Sequence, residues 1–214
     1  MNEGLRRRLI EGAVAMNESG LNQGTAGNVS IRCEGGMLVT PSGMAYTELA
    51  PEDVVWIDQD GRAHGRRKPS SEWRFHLDIY RQREDAQAIV HAHPPFATSL
   101  ACLRRSIPAF HYMVAIAGGQ DIRCSAYETP GSQALSDRVV EALVGRKACL
   151  MANHGMVCLD DGMKRALHLA LEVELLARMY WQCLQVAEPA LLDDQEMERM
   201  TQIFLTYGAN AQHR

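Results

Sequence analysis

His91 and His93 are spaced one residue apart and close the apolar run Ala88-Ile89-Val90, just before Pro94-Pro95. Alternate residues of a strand point to the same face, so the two imidazoles project together. The double proline cannot extend a ladder and places the pair at the rim of a sheet. Two nitrogen donors converging there make half of a divalent-metal site. His154 ends a second apolar run, 148–152, and the glycine after it leaves backbone room. With Glu72 as a carboxylate donor, these residues offer the nitrogen and oxygen ligands that zinc favours, one of them exchangeable. An H-x-H pair alone also describes satisfied or surface histidines; the third imidazole is what points to a metal. His76, four residues after Glu72, is read as structural, with ligation the alternative. His64, His168 and His213 read as solvent-facing, and His111 stays open.

Glu72 has a plainer explanation, since acidic groups complement the dipole at a helix start. Ser70 and Ser71 before it add hydroxyls and free amides, a combination that binds phosphate. The loops Gly24–Asn28 and Pro41–Gly43 offer donors of the same kind, although each alone reads as a turn. Neither G-x-G-x-x-G nor G-x-x-x-x-G-K-[ST] is present. Arg66-Arg67-Lys68 stands near these loops, whereas Arg6-Arg7-Arg8 reads as solvated surface.

The elements that must position these groups follow from periodicity. Residues 4–19 form an amphipathic helix ending at Gly20. Strands over 29–32 and 37–40 make a hairpin through Gly35-Gly36, and 54–57 adds a strand before the Asp60-Gly61 turn. Ser70-Ser71 would cap a helix from Glu72 to about Arg83. After the histidine strand come helices over 95–104 and 131–144, with looser chain between them. Strands at 148–152 and 156–159 lead into a long helix to about Val186, which sets Ala166, Ala170, Val173, Ala177, Tyr180 and Leu184 on one face. A last helix spans roughly Asp193 to Tyr207. Hairpins mixed with helix-linked strands predict an α/β fold: one three-layer α/β/α domain over 1–214 around a mixed, mainly antiparallel central sheet.

The chain has 214 residues, 46% of them hydrophobic, enough for a full core. A net charge of -4 gives no basic field for nucleic acid. No apolar stretch approaches the ~20 residues that span a bilayer, and the N-terminus lacks a signal core. The six cysteines form no C-x-x-C pair and suit reduced, packed thiols. The expectation is a cytoplasmic protein with neither nucleic-acid nor membrane partners.

The segments Gly24-Thr25-Ala26-Gly27-Asn28-Val29-Ser30, Thr40-Pro41-Ser42-Gly43, Pro69-Ser70-Ser71-Glu72-Trp73-Arg74-Phe75-His76, Val90-His91-Ala92-His93 and Asn153-His154-Gly155 occur in that order. Together they resemble the class II aldolase/adducin family over nearly the whole chain. The resemblance is closest to the L-fuculose-1-phosphate aldolases, with Ile107–Met113 and Thr206-Tyr207-Gly208 included. It implies Zn2+ (Mn2+ or Co2+ as substitutes) held by His91, His93 and His154, with Glu72 as a fourth ligand that substrate displaces. It further implies a substrate phosphate among Thr25, Asn28, Ser42, Gly43, Ser70 and Ser71. Tyr112 and Tyr207 would sit near the aldehyde end, the second reaching in from a neighbouring subunit of a homotetramer with interface active sites.

The implied reaction is reversible cleavage of a ketose 1-phosphate, L-fuculose 1-phosphate-like, into dihydroxyacetone phosphate and an aldehyde. Glu72 would exchange the proton at C3, and a tyrosine hydroxyl the proton at the C4 oxygen. Ala92, where fuculose-phosphate aldolases carry a polar residue, and Pro94-Pro95 leave the aldehyde pocket open. The alternative substrates are 5-deoxyribulose 1-phosphate and 5-methylthioribulose 1-phosphate. Pentulose-5-phosphate 4-epimerases resemble the pattern but tend to carry aspartate at the Glu72 position. Decarboxylase relatives and non-catalytic adducin-like modules complete the alternatives.

Overall fold

The computed structural model describes residues 3–206. Its eight strands form one sheet: β1 (Asn28–Cys33), β2 (Gly36–Val39), β3 (Val55–Asp58), β4 (Ala63–His64), β5 (Ala88–Ala92), β6 (Arg123–Ser125), β7 (Ala148–Met151) and β8 (Gly155–Asp160). Their order is β4-β3-β2-β1-β5-β8-β7-β6. Every pairing is antiparallel except β6 with β7. Six α-helices surround the sheet: α1 (Glu3–Glu18), α2 (Trp73–Gln82), α3 (Pro95–Cys102), α4 (Gln133–Ala142), α5 (Met163–Leu184) and α6 (Asp194–Thr206).

The apolar runs are buried on both faces of the sheet, which is why they show no polar alternation. Val90, Ala92, Leu150 and Cys158 face α1, α3 and α5, while Ile89, Cys149, Val157 and Leu159 face α2 and α4. This gives the three-layer α/β/α arrangement read from the sequence. The predicted face of α5 is the buried one, from Ala166 through Ala170, Val173 and Ala177 to Tyr180. The looser chain between α3 and α4 holds a 3-10 segment, Tyr112–Ala117, against which α6 packs, and then β6.

Several local expectations need correction. Helix α2 begins at Trp73, and Glu72 itself occupies the cap position without a side-chain cap hydrogen bond. The serines do not cap it because Ser70 is tied to the sheet, its N–H donating to Thr40 O at 3.0 Å. Its hydroxyl instead accepts from Glu72 N at 3.3 Å. Helix α4 starts two residues later than expected, capped by Ser132, whose side chain accepts from Leu135 N. Arg6 is not solvated surface, since its guanidinium donates to the carbonyls of Pro51 and Val54. All six cysteines are free.

Two arginines lash the α2 end to its surroundings. Arg32 of β1 donates to Ala86 O, Tyr80 O and Arg83 O at 2.8, 2.7 and 2.6 Å. Arg83 in turn donates to Leu143 O and Arg146 O beyond α4 at 2.8 and 2.7 Å. Charge-assisted bonds are stronger than neutral ones, and breaking them leaves the Ala86 and Tyr80 carbonyls without this donor, while Arg83 O keeps the N–H of Ala86 at 3.2 Å. Arg32→Met should therefore lower the unfolding free energy by about 2–3 kcal/mol in urea titrations; unchanged stability would show that the clasp contributes nothing.

Candidate metal centre and active site

Strand parity assembles the centre. Within β5, His91 continues the Ile89 face, so its ring points toward α2, while Ala92 points into the opposite core. Asn28 of β1 lies opposite His91 in register, and β8 flanks β5 on its other edge. The β7–β8 turn carries His154 back over this rim. Asn153 in that turn adopts the left-handed conformation, φ 54°. Its N–H donates to Ala101 O at 3.0 Å and its side-chain oxygen accepts from Arg104 Nε at 3.1 Å. Gly155 is required by close approach: a Cβ there would lie 2.5 Å from Ala92 O and 2.6 Å from His93 Cδ2.

The structure brings Glu72, His91, His93 and His154 together, one ligand atom of each lying within 4.8 Å of all the others. His91 Nε2 is 2.9 Å from His93 Nε2 and 3.0 Å from Glu72 Oε2. His154 Nε2 is 3.1 Å from Glu72 Oε1. The cluster is closed to water on the sheet side, with His91 fully buried and Glu72 8% exposed.

This donor set fits a divalent cation. His91 Nδ1–H donates to Met156 O at 2.9 Å, which leaves Nε2 as a lone pair facing the cluster. Two imidazole nitrogens at 2.9 Å both present lone pairs unless one is protonated. Glu72 Oε1 is buried and faces only the His154 ring nitrogen, itself a candidate ligand. Bonds of about 2.0–2.2 Å from a central ion would satisfy all of these atoms. Burial alone would raise the Glu72 carboxyl, but His91 and His154 outweigh it and hold the group well below the carboxylate range. Burial foremost, then the nearby imidazoles, pushes His93 down to about 4.

The candidate phosphate loops meet beside this centre. Ser42 N donates to Lys68 O at 3.0 Å, and a Pro41–Pro69 bridge joins the Ser42-Gly43 loop to the Ser70-Ser71 loop. Ser42, Gly43 and Ser71 are exposed, while Ser70 is buried. Thr25 is exposed on the neighbouring loop, whose Gly27 is held by Tyr46 OH donating to its carbonyl at 2.8 Å. Gly27 has φ +66° and a Cβ there would sit 2.6 Å from His91 O, so this loop rests directly on the histidine strand. Arg66 and Arg67 are committed elsewhere, both bound to the buried Asp53 carboxylate at 2.8 and 2.7 Å.

Not every sequence candidate lies here. Tyr112 is 47% exposed and lines a cavity of about 740 Å³ with Lys147 and Asp160. Those two residues flank the ends of β7 and β8 opposite His154. Tyr207 and His213 fall outside the described residues. His111 caps the 3-10 segment, its Nδ1 accepting from Met113 N. Ala92, buried in the core, does not line the site.

The sequence reading missed a buried polar file behind Glu72. Asn28 Nδ2 donates to Glu72 Oε2 at 3.2 Å, and Asn28 Oδ1 meets His76 Nε2 at 2.5 Å. His76 Nδ1 lies 2.7 Å from Ser30 Oγ, which lies 2.9 Å from Tyr80 OH. The signal was an i, i+4, i+8 polar stripe, Glu72-His76-Tyr80, on a buried helix face, matched by Asn28 and Ser30 alternating on β1. Four helical residues advance about 6 Å and two strand residues about 6.6 Å, so the two stripes interleave.

Two outcomes follow. Zn2+ added to metal-stripped protein at a thousandfold excess over its Kd should stabilise it by about 4 kcal/mol. That raises Tm by roughly 8–16 °C. His154→Ala should lose most of this shift, and an equal shift in that variant would place the binding elsewhere. Burial foremost, then His91, pushes His76 from 6.5 down to about 3. Folded protein then binds fewer protons than unfolded, so this contribution is full above pH 6.5 and is lost as pH falls toward 3. In urea titrations of metal-free protein His76 should add a slope of up to about 1.4 kcal/mol per pH unit there, beside that from His93; His76→Gln should reduce the slope, and an unaltered slope would contradict the assignment.

Comparison with known proteins agrees with this geometry. Residues 7–181 match the sequence profile of the Class II Aldolase and Adducin N-terminal domain. The chain is 56% identical over 208 residues to the 5-methylthioribulose-1-phosphate/5-deoxyribulose-1-phosphate aldolase of Rhodospirillum rubrum, covering 97% of this chain and 94% of that one. It is 45% identical over 205 residues to the L-fuculose phosphate aldolase of Escherichia coli K12, covering 95% of each. A solved L-fuculose 1-phosphate aldolase superposes with a TM-score of 0.93 at 39% identity, over 96% of this chain and 98% of that one. Profile, relatives and fold coincide, and the chain belongs to the class II aldolase and adducin family, within its aldolases.

Proposed function

We propose that the protein reversibly cleaves a ketose 1-phosphate between C3 and C4, giving dihydroxyacetone phosphate and an aldehyde. The observation that carries this reading is the buried carboxylate of Glu72 among three imidazoles, beside loops that expose the hydroxyl residues Thr25, Ser42 and Ser71. The preferred substrates are 5-methylthioribulose 1-phosphate and 5-deoxyribulose 1-phosphate, supported by the relative of that name at 56% identity. L-Fuculose 1-phosphate is the second reading, supported by the relative at 45%.

Zn2+ held by His91, His93, His154 and Glu72 would supply Lewis-acid stabilisation of negative charge on the substrate oxygens, worth several kcal/mol. Thr25, Asn28, Ser42, Gly43, Ser70 and Ser71 would hold the phosphate and fix the reacting carbons against the cluster. Asn28 has one amide N–H beyond the one given to Glu72. In cleavage, the C3–C4 electron pair stays on C3 and Glu72 delivers a proton to it. In condensation, Glu72 removes that proton. Its burial suits both directions, because a carboxylate swung away from the imidazoles is raised toward working pH by desolvation.

A tyrosine, Tyr112 or Tyr207, would serve the C4 oxygen: as phenol it gives the aldehyde oxygen its proton in condensation, and as phenolate, its own proton passed to solvent, it takes that proton back in cleavage. Tyr112 lies away from its own cluster, which favours service to the site of an adjacent copy. Exposed Leu171, Leu175 and Trp181 along α5 support assembly, for which we propose a homotetramer with active sites at its interfaces. Six free thiols support a reducing, cytoplasmic setting.

Glu72→Gln should keep metal and fold yet lose hydrogen exchange at C3 of dihydroxyacetone phosphate by at least about 100-fold; wild-type exchange would remove Glu72 from this role. A panel of ketose phosphates should yield a free aldehyde. Isomerised pentulose 5-phosphate without aldehyde would favour epimerisation instead.

A further inference from the structure

The polar file behind Glu72 has only one self-consistent direction. Asn28 Oδ1 is an acceptor alone, so His76 Nε2 must carry the hydrogen of their bond. His76 is fully buried and stacked on Phe75, with ring centroids 4.6 Å apart. A neutral imidazole with hydrogen on Nε2 has a lone pair on Nδ1, so Ser30 donates there. The Ser30 oxygen then accepts from Tyr80 OH. Every donor in the series therefore faces Glu72, and such aligned bonds polarise one another. Were the Asn28 carboxamide flipped, its oxygen would face Glu72 Oε2 at about the 3.2 Å now spanned by the N–H bond. Its NH2 could still donate to His76 Nε2, so the opposition of the amide and carboxylate oxygens is what excludes the flip.

We infer that His76 is a positioning residue for the aldol chemistry: its Nε2–H tautomer, set by Ser30 and Tyr80, fixes the Asn28 amide so that Glu72 Oε2 is anchored. Oε1, which the file does not reach and which faces only the His154 ring, 3.1 Å away, is thereby left as the oxygen that works. Neither His76, Ser30 nor Tyr80 touches the cluster, so all three act through Asn28. The functional part of this inference rests on the aldolase reading; the tautomer does not.

The test compares His76→Leu, which removes the donor, with His76→Gln, whose amide nitrogen can replace Nε2–H. His76→Leu should lose kcat by about 10- to 100-fold, the usual range for groups supporting a metal-site residue. Its zinc content should stay near wild type, kcat should fall by more than KM rises, and His76→Gln should recover most of kcat. Equal impairment of the two variants, or full activity of His76→Leu, would overturn the proposal. Ser30→Ala is a milder second variant should His76→Leu fail to fold, with the same kcat-selective loss expected. Nitrogen-15 NMR of histidine-labelled, metal-free protein supplies a readout independent of turnover. A neutral Nε2–H signal for His76, replaced by mixed tautomers in Ser30→Ala, is expected; a protonated or Nδ1–H ring in the wild type would overturn the proposal. Failure of the wild type to cleave any ketose phosphate, with the Nε2–H signal intact, would strike the aldolase reading and spare the relay.

Discussion

A carboxylate withdrawn from water at the start of a helix, among three imidazoles, is the interaction around which this molecule is arranged. Leaving such a charge buried without partners would be strongly unfavourable. Glu72 is therefore surrounded on every side: His91 and His154 on its two oxygens, Asn28 behind one of them. Its place at the head of α2 adds the helix dipole in the same sense. The ring nitrogens are themselves crowded, so the arrangement is complete only with a positive centre between them.

The scaffold imposes this crowding through strand parity and close backbone approach. β1 and β5 run side by side in register, so that Asn28 and His91 share the α2 face. Gly27 and Gly155 let neighbouring loops reach the backbone of His91 and Ala92, and a single methyl at either would collide with a carbonyl. The helix carrying Glu72 is fixed at its far end by Arg32 and Arg83, so its start cannot drift. Glu174 does similar work nearby: its carboxylate accepts from Phe96 N and Ala97 N at 2.9 and 2.8 Å, holding α3 immediately after His93-Pro94. The loops proposed to anchor substrate and the cluster thus share one corner of the sheet.

Much of this corner was legible from residue order. The period of two in His91-Ala92-His93, and a third imidazole at the end of another apolar run, are local patterns that survive folding. So are the buried face of α5 and the uninterrupted apolar strands. What stayed hidden depends on partners distant in sequence. Arg66 and Arg67 look like free cations near a phosphate loop, but Asp53 takes both. Ser70 looks like a helix cap, but the sheet takes its N–H. Strands β4 and β6, at two and three residues, are too short to carry a period and exist only because a neighbour pairs with them. Ala92 stands between His91 and His93 in sequence yet lies across the sheet from the cluster they form. The Glu72-His76-Tyr80 stripe was readable in spacing, although its meaning required the Asn28-Ser30 strand to be set against it.

We propose that these four side chains bind a single cation, on which the chemistry depends. Anomalous diffraction at the zinc edge, from crystals of zinc-loaded protein, measures that directly. One strong peak within bonding distance of His91 Nε2, His93 Nε2, a His154 nitrogen and a Glu72 oxygen is expected. A map with no peak there, or with its peak at a different set of side chains, would contradict it.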